Sequence, residues 1–459
     1  MRTLFRLFDR IVTSDDQDRE LEGADILVDD GVVAKLGVGL EPETCDKTVD
    51  CSGLLALPGL INAHQHLYQG AMRAIPELER SLIGDWLRGI GTDALARFER
   101  GRFGALQVRA IARAVLAESL LGGITTVADQ HYFFPGSAVP APAYVEATIE
   151  AASELGIRLT ACRGSITMGR AAGGAAADSM VQAVDTVVAH CESLVEEYHD
   201  ASPYSMTQIA VAPCGVHVDR PELFEELAAL AFDREGVGLH THLYERVDTD
   251  FTRERYGMSP WEFLVEHGWA TERTWLAHMV DVPVEELPDI AAAGVAIAHL
   301  PAPDLRMGWG RAPMRAMLDA GVTVGMGTTG SASNDGANLL GDMRIAALVH
   351  RDEHVRPDAW PSARELVRAA TRGSARCLGR PALGWIGPGS AADFAAWDLR
   401  TVDRFGVQDP VAGLLLTGLS SAASLVVVAG RTVVEDGSPV GFDPTRIATD
   451  AWSVLGVDR

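Results

Sequence analysis

The stretch Leu57-Pro58-Gly59-Leu60-Ile61-Asn62-Ala63-His64-Gln65-His66 is an apolar run that ends in two imidazoles spaced two apart. In an extended strand, residues i and i+2 point to the same face, so His64 and His66 can converge on one point where the strand gives out. That is a metal-ligand geometry. Imidazole suits Zn²⁺ or Fe²⁺, and three protein ligands with one open position is the pattern of a hydrolytic rather than a structural site. A His-x-His pair alone fits two packed histidines equally well, so its meaning depends on where the other histidines fall.

Outward from this stretch, apolar strands alternate with amphipathic helices. Strand candidates are 124–131, 158–163, 208–215, 237–242, 273–278, 294–299 and 321–327, and the strand before His64 makes eight. Helical patterns cover 108–121, 144–155, 221–232 and 363–372. Near-continuous apolar strands alternating with helices predict a parallel sheet, and eight such units predict an α/β fold of the (β/α)₈ TIM-barrel type. Residues 1–56 and 380–459 have a different texture, short alternating or β-branched runs broken by Asp-Asp, Asp-Gly and Pro. The two chain ends are therefore expected to form one small β-sandwich domain, leaving 57–379 as the barrel hydrolase domain. The run Ala171-Ala-Gly-Gly-Ala-Ala-Ala177 is expected to be a mobile loop.

Six of the thirteen histidines, His64, His66, His131, His242, His278 and His299, sit at or just past the ends of predicted strands. In a barrel those ends share one face, where active sites of this architecture lie. His190, His199, His267, His350 and His354 fall in helices or their flanks and read as solvated or packed. His240 and His242 share a face of the fifth strand; His242 lies nearer the strand end and is the expected ligand, with His240 packed below it. Residues of the same strand-end loops, Gln69, Trp86, Gln130, His131, Cys214, His217 and Trp309, are candidate substrate-binding groups. The two indoles are candidates for stacking on a flat ring.

Composition narrows the function further. The net charge of -24 opposes binding to nucleic acid or to an anionic membrane surface. No apolar run approaches the ~20 residues of a membrane-spanning helix, and charges interrupt the first ten residues, so they do not read as a secretory segment. The six cysteines contain no Cys-x-x-Cys pair, which fits reduced thiols in a cytoplasmic enzyme.

Motifs make the reading specific. Pro58 to His66, His242-x-x-Glu245 on the fifth strand, His278 on the sixth and Gly327-Thr-Thr-Gly-Ser-Ala-Ser-Asn-Asp335 after the eighth resemble the amidohydrolase superfamily. Within it they resemble the ATZ/TRZ-like metal-dependent aminohydrolases and chlorohydrolases that act on heterocycles. Leu67 to Arg80, Gly122 to His131, Asp304 to Gly310 and Gly327 to Gly336 are similar to its s-triazine hydrolase subgroup, of the atrazine chlorohydrolase type. The resemblance runs essentially end to end. It implies that His64, His66 and His242 bind one Zn²⁺ (or Fe²⁺), that Glu245 is the general acid beside the substrate ring, and that His278 contacts the metal's water. It also implies a homodimer, by analogy alone.

One departure bears on the chemistry. Most of the superfamily carries an Asp just after the eighth strand, which ligates the metal or takes the proton of the attacking water. Here the position is Thr329, whose hydroxyl can only orient near neutral pH; the s-triazine hydrolase subgroup shares this threonine. An all-imidazole zinc site keeps its double positive charge, so its water ionises near pH ~7 without a carboxylate base. Attack on a ring carbon between two ring nitrogens builds negative charge on them, which a protonated Glu245 relieves by donating a proton. Chloride, alkoxide or alkylthiolate then needs less help in leaving than an amine does. The expected function is hydrolytic displacement of such a group, or of an amine, from an s-triazine or related N-heterocycle. The alternative is deamination of a purine, pterin or pyrimidine such as guanine or 8-oxoguanine. After Cys214-Gly-Val the chain reads His217-Val218 where the subgroup pattern has Pro-Tyr, a change expected to alter substrate choice.

Overall fold

The computed structural model describes residues 1–41, 45–135, 142–351, 356–417 and 421–456, so His354 lies outside the described residues. Its centre is a sheet of eight strands in sequential order: β1 (Leu60–Gln65), β2 (Ile124–His131), β3 (Arg158–Ser165), β4 (Thr207–Pro213), β5 (Gly238–Leu243), β6 (Thr274–His278), β7 (Ala296–His299) and β8 (Thr323–Met326). Every neighbouring pair is parallel. Just past β8 the Thr329 amide donates to the His64 carbonyl at 2.9 Å, bringing the last strand against the first. The result is the expected TIM barrel. All residues of β1, β2 and β3 are buried, because helices cover the outside and side chains fill the inside, and this double burial explains the continuous apolar runs. The interior is packed with small residues, Ala63, Ala128, Ala210, Ala212, Ala296 and Ala298, around one large ring, Trp275.

The expected helices appear as α2 (Ala105–Leu121), α3 (Pro142–Leu155) and α5 (Pro221–Phe232). Between and after them lie α1 (Ile83–Glu99), α4 (Val184–Tyr198) and α6 (Val247–Tyr256). Sequence periodicity did not reveal α1, because Gly84, Gly89 and Gly91 interrupt its apolar face. The helical stretch at 363–372 is α-helical to Arg368 and then widens into a π turn, Ala369–Gly373. A side chain at Gly373 would collide with the Val324 carbonyl of β8, so glycine permits the close approach there. Residues 171–177 run outside regular strands and are tied down by backbone bonds, Gly174 to Gly169 at 2.9 Å and Ala175 to the His217 carbonyl at 3.0 Å.

Both chain ends build the remaining sheets. A seven-stranded sheet interleaves Leu54–Pro58, Arg10–Val12 and Glu20–Leu21 with Phe394–Asp398, Leu425–Val428, Arg431–Glu435 and Ser438–Pro439. A four-stranded sheet, which includes Arg2–Phe8, Ala24–Asp29 and Val32–Gly37, packs its apolar face on it through Phe5, Ile26, Val28, Phe394 and Val427. Phe5 and Phe394 meet edge to face at 5.0 Å. A buried ion pair ties this body to the barrel: Arg158 of β3 grips Asp393 with Nε–Oδ2 2.6 Å and Nη2–Oδ1 3.0 Å. This forked geometry satisfies both carboxylate oxygens where water does not reach.

Candidate active site

At the C-terminal rim of the barrel three imidazoles converge. His64 and His66 end β1, His242 ends β5, and one ligand atom from each lies within 4.8 Å of the other two. Their partners fix which nitrogen faces inward. His66 Nδ1 donates to the Gln130 carbonyl at 2.8 Å, and His242 Nδ1 donates to the Cys214 carbonyl at 2.6 Å. His240 Nδ1 donates to the Trp275 carbonyl at 2.8 Å, which leaves its Nε2 to accept from His64 Nδ1, also at 2.8 Å. Each of the three rings therefore presents an Nε2 lone pair to one point. His66 and His242 Nε2 lie 3.2 Å apart, and the buried His64 Nε2 has no hydrogen-bond partner. Burial pushes His242 down to about 3 and His64 and His66 well below the usual imidazole range, so all three are neutral donors. An orphaned, deprotonated, all-imidazole donor set fits a divalent metal with an open fourth position. His240, expected simply to pack below, orients His64.

No carboxylate belongs to this trio. Asp335 pairs instead with Arg306 (Oδ2–Nε 2.9 Å) and accepts the Ala74 amide at 2.6 Å. Thr329 lines the pocket with φ 51°, and Tyr244, Arg246, His278 and Met279 also adopt positive φ. Non-glycine residues held there cost on the order of 1–3 kcal/mol each, a strain concentrated on the strand ends that carry the site.

Beside the imidazoles lies an acid wall. Glu245 follows β5, and burial, aided by Asp248 and Asp304, raises its carboxyl well above the usual range. Its Oε1 is 3.3 Å from His278 Nε2, while His278 Nδ1 is 2.6 Å from Asp304 Oδ1. Burial lowers His278 to about 3 and raises Asp304 well above its ordinary value, so the pair avoids net charge. On the other side His217 Nδ1 meets Asp248 Oδ1 at 2.6 Å, and Asp248 Oδ2 accepts the Glu245 amide at 3.1 Å. A buried, protonated carboxyl next to a metal-competent cluster can deliver a proton to a substrate ring.

The pocket over these groups is lined by Gln69, Trp86, Cys214, His217, Trp309 and Thr329 from the sequence-based set. Trp309 stands edge-on to the His278 ring at 5.0 Å, and Trp86 Nε1 donates to the Ala332 carbonyl at 3.3 Å. Two expected residues are elsewhere. The Gln130 amide is spent on the Ala212 and Pro213 carbonyls at 3.0 and 3.2 Å, and only its backbone serves the site. His131 points outward, where its ring stacks on Tyr144 at 5.5 Å and its Nε2 donates to the Phe133 carbonyl at 2.9 Å. Strand alternation separates the two, since neighbours on β2 face opposite sides. His299, also expected on this rim, pairs with His350 at 3.1 Å. Sequence reading did not single out Tyr132, Asp248 or Asp304, although Asp304 stands in a quoted motif and Asp248 follows Glu245 by three residues.

Comparison with known proteins places this geometry. An amidohydrolase family model matches residues 55–434. The zinc complex of atrazine chlorohydrolase TrzN from Arthrobacter aurescens TC1 superposes with a TM-score of 0.97 at 56% identity, covering 99% of this chain and 100% of that one. The 8-oxoguanine deaminase of Pseudomonas aeruginosa PAO1 is 36% identical over 91% of each chain. The hydroxydechloroatrazine ethylaminohydrolase of Pseudomonas sp. strain ADP is 35% identical over 99% of this chain and 95% of its own. Among the described residues no helix is long and apolar enough to cross a membrane.

Proposed function

Because the chain belongs to the amidohydrolase family, we propose that it is a zinc-dependent hydrolase that displaces chloride, alkoxide, alkylthiolate or an amine from an s-triazine or related N-heterocycle. His64, His66 and His242 would hold the ion, Zn²⁺ in the first place and Fe²⁺ as the substitute. Bound there, such an ion supplies Lewis acidity and lowers the pKa of a water toward ~7. The observation that carries the reading is the division of labour at the rim: three neutral imidazoles without a carboxylate, and next to them one carboxyl, Glu245, held protonated by burial.

The protein's own groups then act as follows. Glu245 donates its proton to a ring nitrogen as negative charge builds there. His278, backed by Asp304, holds the attacking water in line and keeps Glu245 in register through the 3.3 Å contact. Thr329, lacking an ionisable proton near neutrality, orients through its hydroxyl. Trp86 and Trp309 flank a flat ring and exclude water, Gln69 offers its unpartnered Oε1 to a substrate amino group, and the Cys214 thiol and the His217 ring complete the wall.

Thr329 in place of an acid favours groups that leave without prior protonation. Deamination of a purine, pterin or pyrimidine is the second reading, favoured by the 36% identity to 8-oxoguanine deaminase. Zinc-loaded enzyme incubated with chloro- and methylthio-triazines, and separately with guanine, 8-oxoguanine and isoxanthopterin, separates the two. Chloride or thiol release is expected; ammonia from the second panel with silence on the first overturns the ranking. The same proposal makes the enzyme a cytoplasmic homodimer, which sedimentation velocity checks for the dimer.

A further inference from the structure

The rim pocket is small, about 50 Å³, but it opens past Trp86, Tyr132 and Cys214 into a second chamber of about 550 Å³. The outer chamber has walls from α1, including Leu87, Ile90 and Leu95, and from the 174–180 stretch, including Ala176 and Met180. Its size falls in the range of ligand pockets, roughly 300–1,000 Å³, and its lining is mostly apolar. A ring seated against the imidazoles and the acid wall cannot fill it. Chemistry at the rim accounts for none of this space.

His217 stands at the throat and lines both chambers. Asp248, fully buried, meets its Nδ1 at 2.6 Å, and in the imidazole tautomer that this contact selects the lone pair lies on Nε2. No protein group bonds that Nε2 among the described residues. The ring is also braced from behind, since the His217 carbonyl accepts the Ala175 amide at 3.0 Å, coupling the throat to the wall of the outer chamber.

We propose that His217 is a specificity-determining residue: its Nε2 accepts a hydrogen bond from an exocyclic N–H on the substrate ring and thereby sends the apolar group carried by that nitrogen into the outer chamber. This rests on the function proposed above and deepens it by assigning to one throat residue the choice of the atom that links the ring to a side chain, N–H over oxygen, with the side chain taken up by the outer chamber. Both halves of the recognition are needed. The chamber rewards apolar bulk at about 0.8 kcal/mol per buried CH₂, while the acceptor selects the linking atom, because an ether oxygen in place of N–H would face the Nε2 lone pair with its own.

The test uses the full-length zinc-loaded protein in two arms. Calorimetry on the Glu245→Gln variant compares azine–NH–hexyl with azine–O–hexyl, and steady-state kinetics on wild type follow an azine–NH–R series from methyl to hexyl with one leaving group. About tenfold tighter binding of the amine than the ether is expected, and KM should fall along the series. In a Glu245→Gln/His217→Leu double variant with unchanged zinc content and Tm, the amine-to-ether ratio should shrink to about twofold. Glu245→Gln/His217→Gln should recover part of it through the amide oxygen. Equal binding of amine and ether, retention of the preference in the leucine variant, or a KM that rises with chain length overturns the proposal. If the azines bind with this preference but none is turned over, the reaction proposed above fails while the role of His217 stands.

Discussion

Two groups of imidazoles meet at the barrel rim, and they are backed differently. His64, His66 and His242 lean on neutral acceptors, the His240 ring and the carbonyls of Gln130 and Cys214. His278 and His217 lean on buried carboxyl groups, those of Asp304 and Asp248, each at 2.6 Å. A carbonyl fixes a tautomer without adding charge, which suits a ring whose lone pair must meet a cation. A carboxyl group, which can hold or release a proton of its own, answers a change of charge on the ring it touches and so belongs where protons move. The backing residue thus distinguishes the half that would bind metal from the half that handles protons and substrate.

The largest effect expected from breaking this division is in the metal half. His66→Ala or His242→Ala should strip the zinc and cut turnover by more than about 10³-fold, since loss of an outer partner alone costs about 10–100-fold. Metal analysis of the purified variants alongside kcat/KM checks it, and a variant that keeps stoichiometric zinc would remove that histidine from the ligand set. In the other half, Glu245→Gln should lower kcat by about 10²-fold or more, the range for loss of one general acid, with zinc content unchanged. Zinc loss in that variant would move Glu245 across the divide.

The backing residues allow a sharper contrast. His240→Phe should weaken zinc binding by about 10–100-fold, because His64 loses the acceptor that fixes its tautomer. Asp304→Asn should leave zinc affinity alone and reduce kcat by about tenfold, because it disturbs His278 and the neighbouring Glu245 carboxyl but none of the partners that hold the zinc-binding rings. Competition with a chromophoric chelator measures the first and steady-state kinetics the second. If both variants affect the same quantity, the two-part division of the rim is wrong.

How far this was legible from the sequence differs between the two halves as well. The barrel was readable because strands buried on both faces become unbroken apolar runs, and all eight stand within a few residues of where those runs put them. The trio His64, His66 and His242 could be picked out from strand ends and motif spacing. What surrounds it could not. Asp129-Gln130-His131 offers three polar residues in a row, so no alternation tells which faces inward, and the structure buries the Gln130 amide in carbonyl contacts and turns His131 toward Tyr144. Asp248 and Asp304 arrive from short helical segments after β5 and β7, whose direction depends on positive-φ turns at Tyr244 and Arg246 and on a Pro-rich start at Pro301. These are tertiary decisions that residue pattern does not encode locally.

A further expected effect is on stability and not on turnover, and it tests the claim that the proton-handling half is rich in reluctant carboxyl groups. Asp342 lies behind Asp304 and accepts from Asn334 Nδ2 at 3.0 Å; burial pushes it up to about 7, with Asp304 adding to the rise. In the unfolded chain an aspartate titrates near ~3.9. Between the two values the folded protein keeps a proton that the unfolded chain has lost. The stability contributed by the neutral carboxyl is therefore fully present below about pH 4 and lost as the pH climbs through 7, a change of at most about 4 kcal/mol. Asp342→Asn retains the acceptor for Asn334 and cannot ionise. Urea unfolding at pH 5 and pH 8 should show wild type losing more stability over that interval than the variant, with m unchanged. Asp129 and Asp219, similarly raised to about 7 and about 6, remain in both proteins and cancel from the difference. Equal losses would mean that Asp342 does not hold its proton in the folded protein, and the acidic groups behind His278 would then carry charge before any proton has moved.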